Sequence, residues 1–373
     1  MSDSEAGAGD DPDTYVELDE KAERRATRVH EEAVFVDGCV PTTAYLDTEE
    51  YHDHPRQGGV DALTITAASR VSFPEATRKV QRIRRLADER EGYTLAESAT
   101  DVRAAKEAGD VAVLLAFQDT MAIIPEDRMI LDGGMEFLAA FDRLGVRIIQ
   151  LTYNSLNYVG AGCCERVDPG LSNFGRNLVD EMNRRGIVVD LSHCGDRTTT
   201  EAIEYSDDPV MCTHAGAREL SNLTRNKTDE HIAAIGEHGG VVGVSLFPPT
   251  VKSDPDTHEV RPATVEDVLD HVDHVVEVAG VDHVAFGSDM NDQALDRGTT
   301  PPYAAYRNFR PEFPEAYGVG PREQYEPYPR GVHRHTKLET LTHGLVDRGY
   351  TDEEIHKILG GNFLRVLETV HGH

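Results

Sequence analysis

GIVVDLSHCG, residues 186–195, is an apolar run that ends on His193 and breaks at Gly195. A second run, DPVMCTH (208–214), ends the same way on His214. The same kind of run recurs along the chain, as AVFVDG (33–38), VDALTITAA (60–68), DVAVLLAFQ (110–118), VRIIQLTY (146–153), GGVVGVSLF (239–247) and DHVAFGSD (282–289). Amphipathic segments such as NFGRNLVDEMNRR (173–185) and TVEDVLDHVDHVVEVAG (264–280) separate them. Near-continuous apolar strands alternating with helices imply a parallel sheet covered by helices. Eight such units in one chain point to an α/β fold of the (β/α)₈ TIM-barrel type. A doubly wound open sheet is the runner-up, but no strand–GxGxxG–helix unit opens it.

The chain has 373 residues, a net charge of −30 and 39% hydrophobic content, enough for a large core. Only seven of its 37 basic residues are lysines. Acid excess with scarce lysine is the hydrated, self-repelling surface of halophilic proteins, and it argues against nucleic acid or anionic membrane as partners. No run reaches the roughly 18 apolar residues of a membrane span. The opening MSDSEAGAGDDPD has neither the basic nor the apolar part of a secretory signal, and residues 1–18 read as a disordered acidic tail. Five cysteines, two of them adjacent, make a poor disulfide framework, so reduced thiols in a cytoplasmic protein are expected. Residues 19–373 then form a single barrel domain. Residues 291–335, rich in Pro and Tyr, break the pattern after the eighth strand and read either as a lid over the barrel mouth or as a surface insertion.

Catalytic groups of such barrels sit at the C-terminal strand ends. Reading those ends gives Cys39, Gln118, Tyr153, His193, His214 and Asp289. A lone histidine there is more often a packed core residue than a ligand. Two on adjacent strands, facing an acid on the last strand, shift the balance toward a zinc site. Glu165, in GAGCCERVDPGLSNFG (160–175), is a further candidate ligand from the loop after the fourth strand. His271 and His274 read as surface residues of an outer helix, and the HRH run (333–335) carries no catalytic role.

Six segments carry a family resemblance: VFVDGC (34–39), FDRLGVRIIQLTYNSLN (141–157), GLSNFGRNLVDEMNRRGIVVDLSHCG (170–195), PVMCTHAGARELSNLTRNKTDEHIAAIGEHGGVVGV (209–244), HVAFGSDM (283–290) and GGNFLRVLETV (360–370). In this order they resemble the membrane dipeptidase family of metallopeptidases. The resemblance implies an amidohydrolase-like (β/α)₈ barrel with two zinc ions and an attacking water. It makes His193 and His214 zinc ligands, Asp289 the acid that handles protons, and Arg225 the partner of the substrate's C-terminal carboxylate, which a guanidinium meets bidentately.

The departures change that expectation. The family's Asp-Gly-His-x-Asp is here Asp37-Gly38-Cys39-Val40-Pro41. Its metal-bridging glutamate aligns with Gln118, and its substrate-polarising histidine with Tyr153. A two-zinc site is not expected. The expectation is one zinc held by His193 and His214, with Cys39, Asp289 or water completing the shell, and Tyr153 contacting the substrate or serving as an acid. The expected activity is hydrolysis of an amide bond in a dipeptide-like small molecule, with a homodimer implied by the family. The alternative is a non-catalytic or metal-free binder on the same scaffold.

Overall fold

Eight parallel strands form a barrel wall in the computed structural model, which describes residues 16–124, 134–296, 313–319 and 328–372. They are β1 (Val36–Val40), β2 (Ala62–Ala68), β4 (Val111–Phe117), β5 (Val146–Gln150), β6 (Val188–Asp190), β7 (Met211–Ala215), β8 (Val241–Ser245) and β9 (Val284–Gly287), hydrogen-bonded in that order. All eight were expected from the apolar runs. A ninth strand, β3 (Tyr93–Leu95), pairs only with β4 and escapes a sequence reading because it is three residues long.

No ladder joins β9 to β1, and side chains and one backbone bond close the seam. Asp289 N–H donates to the Cys39 carbonyl at 2.9 Å. Asp37 accepts the Ser288 N–H at 2.8 Å and the Ser288 hydroxyl at 2.5 Å. The seam therefore sets how close Cys39 and Asp289 can come.

The period-two alternation of strand side chains divides the core. On β4, Ala112, Leu114 and Ala116 pack with Val36, Ala62, Ile148, Val188, Met211, Val241 and Ala285 in the barrel interior. Val113, Leu115 and Phe117 face the helical layer. The helix Asn362–His371, expected on the outside, instead puts Phe363 and Leu367 into the interior cluster.

Strand β7 is irregular, its register to β8 shifting between Cys212 and Ala215. The Thr213 carbonyl intrudes so far that a Cβ on Gly287 or Gly243 would lie 1.9 or 2.2 Å from its oxygen. These two glycines let β7 lean inward, which brings His214 beside the β1 and β9 ends. Of the acidic tail, residues 1–15 lie outside the described residues, as do 297–312 and 320–327 of the lid segment.

Candidate metal centre

Each candidate ligand leaves the wall where a strand stops. Among the described residues, Cys39, His214 and Asp289 are the one set of three metal-ligating side chains whose donor atoms all lie within 4.8 Å of one another. His193 joins through His214, the two Nε2 atoms being 3.1 Å apart. Among the described residues, three of the four non-glycine ones with left-handed backbone are at this mouth: Arg70 (φ 52°), Asn154 (φ 63°) and Asp289 (φ 53°). Such conformations cost on the order of 1–3 kcal/mol each and concentrate where a side chain must be aimed.

The far side of each imidazole fixes its tautomer. His193 Nδ1–H donates to the Asn154 side-chain oxygen at 2.6 Å. His214 Nδ1 lies 2.8 Å from the Thr213 hydroxyl oxygen. That hydroxyl has already given its proton to Asp190, at 2.7 Å, so it accepts from His214. Asp190 also takes the Ser192 hydroxyl and the Ser192 and Thr213 amides, four donors in all. Both Nδ1 atoms are therefore protonated, and both Nε2 lone pairs point into one space. Burial, reinforced by the Arg225 charge, holds both rings well below the ordinary histidine pKa, so both stay neutral.

Around this pair the other candidates divide. Cys39 Sγ lies 3.9 Å from Asp289 Oδ1. Burial and the Asp289 charge raise its pKa well above the usual thiol range. Gln118 turns its amide N–H toward the centre and donates to Cys39 Sγ at 3.1 Å, so it contacts the thiol rather than offering an oxygen. Burial lifts Asp289 to about 7, with Arg225 opposing and Asp37 adding to the rise. Tyr153 stacks on His193, with centroids 4.3 Å apart and planes at 23°, and Arg70 covers the Tyr153 ring at 5.0 Å. Burial raises the Tyr153 pKa and keeps it a phenol.

Arg225 is 2% exposed and donates to the carbonyls of Ser192 and, at 2.8 Å, His214. No carboxylate forms an ion pair with it among the described residues, an expensive state for a buried cation. Glu165 is exposed and accepts the Leu156 N–H at 2.8 Å, stabilising its own loop away from the centre. His271 is buried, not on the surface. Its Nδ1 accepts the Ala217 N–H and its Nε2–H donates to the Val251 carbonyl, tying two loops together.

Sequence reading does not single out Asn154, Thr213 or Asp190. They are ordinary polar residues next to the conspicuous ones, and only the hydrogen-bond directions reveal their work. It gives the HRH run no catalytic role and does not foresee the place of His335, which is fully buried between Asp37 (3.0 Å) and Asp292 (3.4 Å) with the Tyr45 hydroxyl at 2.7 Å. Its place in a Pro- and Tyr-rich stretch gives no periodic signal.

The model of the membrane dipeptidase family (peptidase family M19) matches residues 23–297 and 323–372. This chain belongs to the membrane dipeptidase family. A curated family relative, dipeptidase tcpJ of Claviceps purpurea, is 29% identical over 293 residues, 78% of this chain and 58% of that protein. The chain spans only about half the length of the curated relatives it matches. A solved amidohydrolase of Pseudomonas aeruginosa is 30% identical, with a TM-score of 0.79 over 93% of this chain and 99% of that one. A metallopeptidase of Rhodobacter sphaeroides, solved with a phosphinate mimic of the dipeptide L-Ala-D-Ala, shares the fold at 22% identity and a TM-score of 0.70, over 91% of this chain and 99% of that one. Cys39 lies at the end of β1, Gln118 directly after β4 and Tyr153 just past β5.

Proposed function

We propose that this chain is a dipeptidase-type hydrolase working with one zinc ion held by His193 and His214. The observation that carries this is the facing pair of Nε2 lone pairs. Two buried lone pairs 3.1 Å apart repel unless a cation lies between them. Two imidazole nitrogens on one tetrahedral zinc, each at ~2.0–2.1 Å, sit roughly 3.3 Å apart, so the spacing fits. Cys39 Sγ completes an N, N, S donor set suited to zinc, which leaves a fourth position for water beside Asp289. Gln118 then serves as an N–H donor to the Cys39 thiolate, the kind of outer support that tunes a bound metal.

Bound zinc supplies polarisation of the substrate carbonyl and lowers the pKa of a coordinated water. The rest of the chemistry falls to the chain's own side chains. Asp289, at the edge of the same space, accepts a proton and returns it to the leaving amine. Arg225, buried without a carboxylate, takes the substrate's carboxylate with the N–H groups its two carbonyl partners leave over. Tyr153 holds His193 by stacking and keeps its phenol proton as a hydrogen-bond donor to the substrate. The substrate class is a dipeptide or a similar small amide with a free carboxylate, the class named for the curated relatives.

The test is a dipeptide panel on the zinc-loaded wild type, Asp289→Asn and Arg225→Lys. Wild-type hydrolysis, lost by at least about a hundredfold in Asp289→Asn with zinc retained, supports the reading. In Arg225→Lys the loss is expected mainly in KM. Zinc-loaded wild type inert toward every dipeptide would overturn it.

A further inference from the structure

We infer that Tyr317, carried by the segment after β9, is a positioning residue for His193 and acts through Asn154. The inference rests on the proposed zinc reading for its consequence, though not for its geometry. The Asn154 side-chain oxygen accepts two strong bonds, from His193 Nδ1–H at 2.6 Å and from the Tyr317 hydroxyl at 2.5 Å. A carbonyl oxygen has two lone pairs, and these two donors use both. The Cys163 thiol, at 3.7 Å, is a weak third neighbour. Tyr317 lies 163 residues from Asn154 in sequence, yet its hydroxyl and the imidazole are the two strong donors that turn this amide.

The rest of the segment is built to deliver that hydroxyl. Tyr317 is 7% exposed and packs with Cys163, Phe247 and Ala316, meeting the Phe247 ring edge-on at 6.5 Å. The Glu315 carbonyl accepts the N–H of Thr224, the residue before Arg225, at 2.7 Å. Val319 exchanges backbone bonds with His258 and Val260 at 2.7 and 3.0 Å. Residues 313–319 are thus docked on the Arg225 loop and on the support of His193 together. Without the hydroxyl, one Asn154 lone pair is left buried and unmatched, the amide is free to rotate, and His193 loses its fixed tautomer and angle.

Tyr317→Phe in the full chain keeps the ring and removes the hydroxyl. Zinc affinity, read by competition with a chromophoric chelator, should fall about tenfold, the low end for a lost outer partner of a metal-bound histidine. The melting temperature of the metal-free protein should fall by only a few degrees, the cost of about one buried hydrogen bond. In an Asn154→Ala background the same substitution should have no further effect on affinity, because its route is gone. The ring N–H resonance of His193, seen by selective ¹⁵N-histidine labelling of the metal-free protein, should shift or broaden in Tyr317→Phe. Unchanged affinity with an unchanged resonance would overturn the inference, as would a tenfold loss that persists in the Asn154→Ala background. Should the wild type take up no zinc, the zinc reading fails, and the His193 resonance alone decides whether Tyr317 positions this ring.

Discussion

Thr213 shows how much of this centre depends on a residue with no chemistry of its own. Its hydroxyl proton is committed to Asp190, which turns its oxygen into the acceptor that fixes His214. Thr213→Val preserves shape and removes the acceptor. Zinc affinity is expected to drop roughly 10–100-fold, measurable by chelator competition, with the fold intact by circular dichroism. Affinity within twofold of wild type would show that the His214 tautomer is set elsewhere. At this scale the sequence pointed to the proposed ligands and hid their supports. His193, His214 and Asp289 stand out because each ends an apolar run. Thr213 and Asn154 do not, since a hydroxyl or amide earns its role only from which way its protons point.

Among the elements, the β1–β9 seam is the place where local sequence and global fold meet. Asp37 bonds to Ser288 on one side and to His335 on the other, and His335 reaches on to Asp292. Burial alone would lower the His335 pKa, but Asp292 and Asp37 outweigh it and raise it to about 9. Because the folded value lies above the unfolded value of ~6.5, this contribution to stability is complete below about pH 6.5 and disappears as pH rises through 9. The midpoint of thermal unfolding should therefore fall between pH 7 and 10 in the wild type, and more shallowly in His335→Gln. Parallel pH profiles for the two would contradict this. His335→Leu, which removes the histidine shared by Asp37 and Asp292 and leaves Asp292 to His54 and Asp37 to the Ser288 donors, is expected to cost about 3–5 kcal/mol in denaturant unfolding. The eight wall strands were legible because apolar, β-branched runs are long and regular. The seam was not, because it is made by side chains from positions 37, 288, 292 and 335 rather than by any run. Similarly, the inward lean of β7 is written in Gly243 and Gly287, two glycines whose purpose only the Thr213 carbonyl explains.

For the whole molecule, the net charge of −30 is the dominant long-range feature. Charges of one sign on a folded surface repel, and salt screens them over a Debye length that shrinks from ~10 Å at 0.1 M to ~3 Å at 1 M. Raising KCl from 0.1 to 2 M should raise the unfolding midpoint, and a lower midpoint would mean that ion pairs such as Arg348 with Asp270 and Asp273 outweigh the repulsion. The described residues contain no helix long and apolar enough to cross a membrane. Family membership was readable from six motifs spread over the chain, while the expectation of an altered metal site came from what stands at Cys39, Gln118 and Tyr153. The central claim is that these changes leave one working zinc position. It is tested most directly by counting zinc per chain, by elemental analysis of protein dialysed after loading, in the wild type and in His214→Ala. One zinc is expected in the wild type and none in the variant. Two zinc ions per wild-type chain, or none, would contradict it.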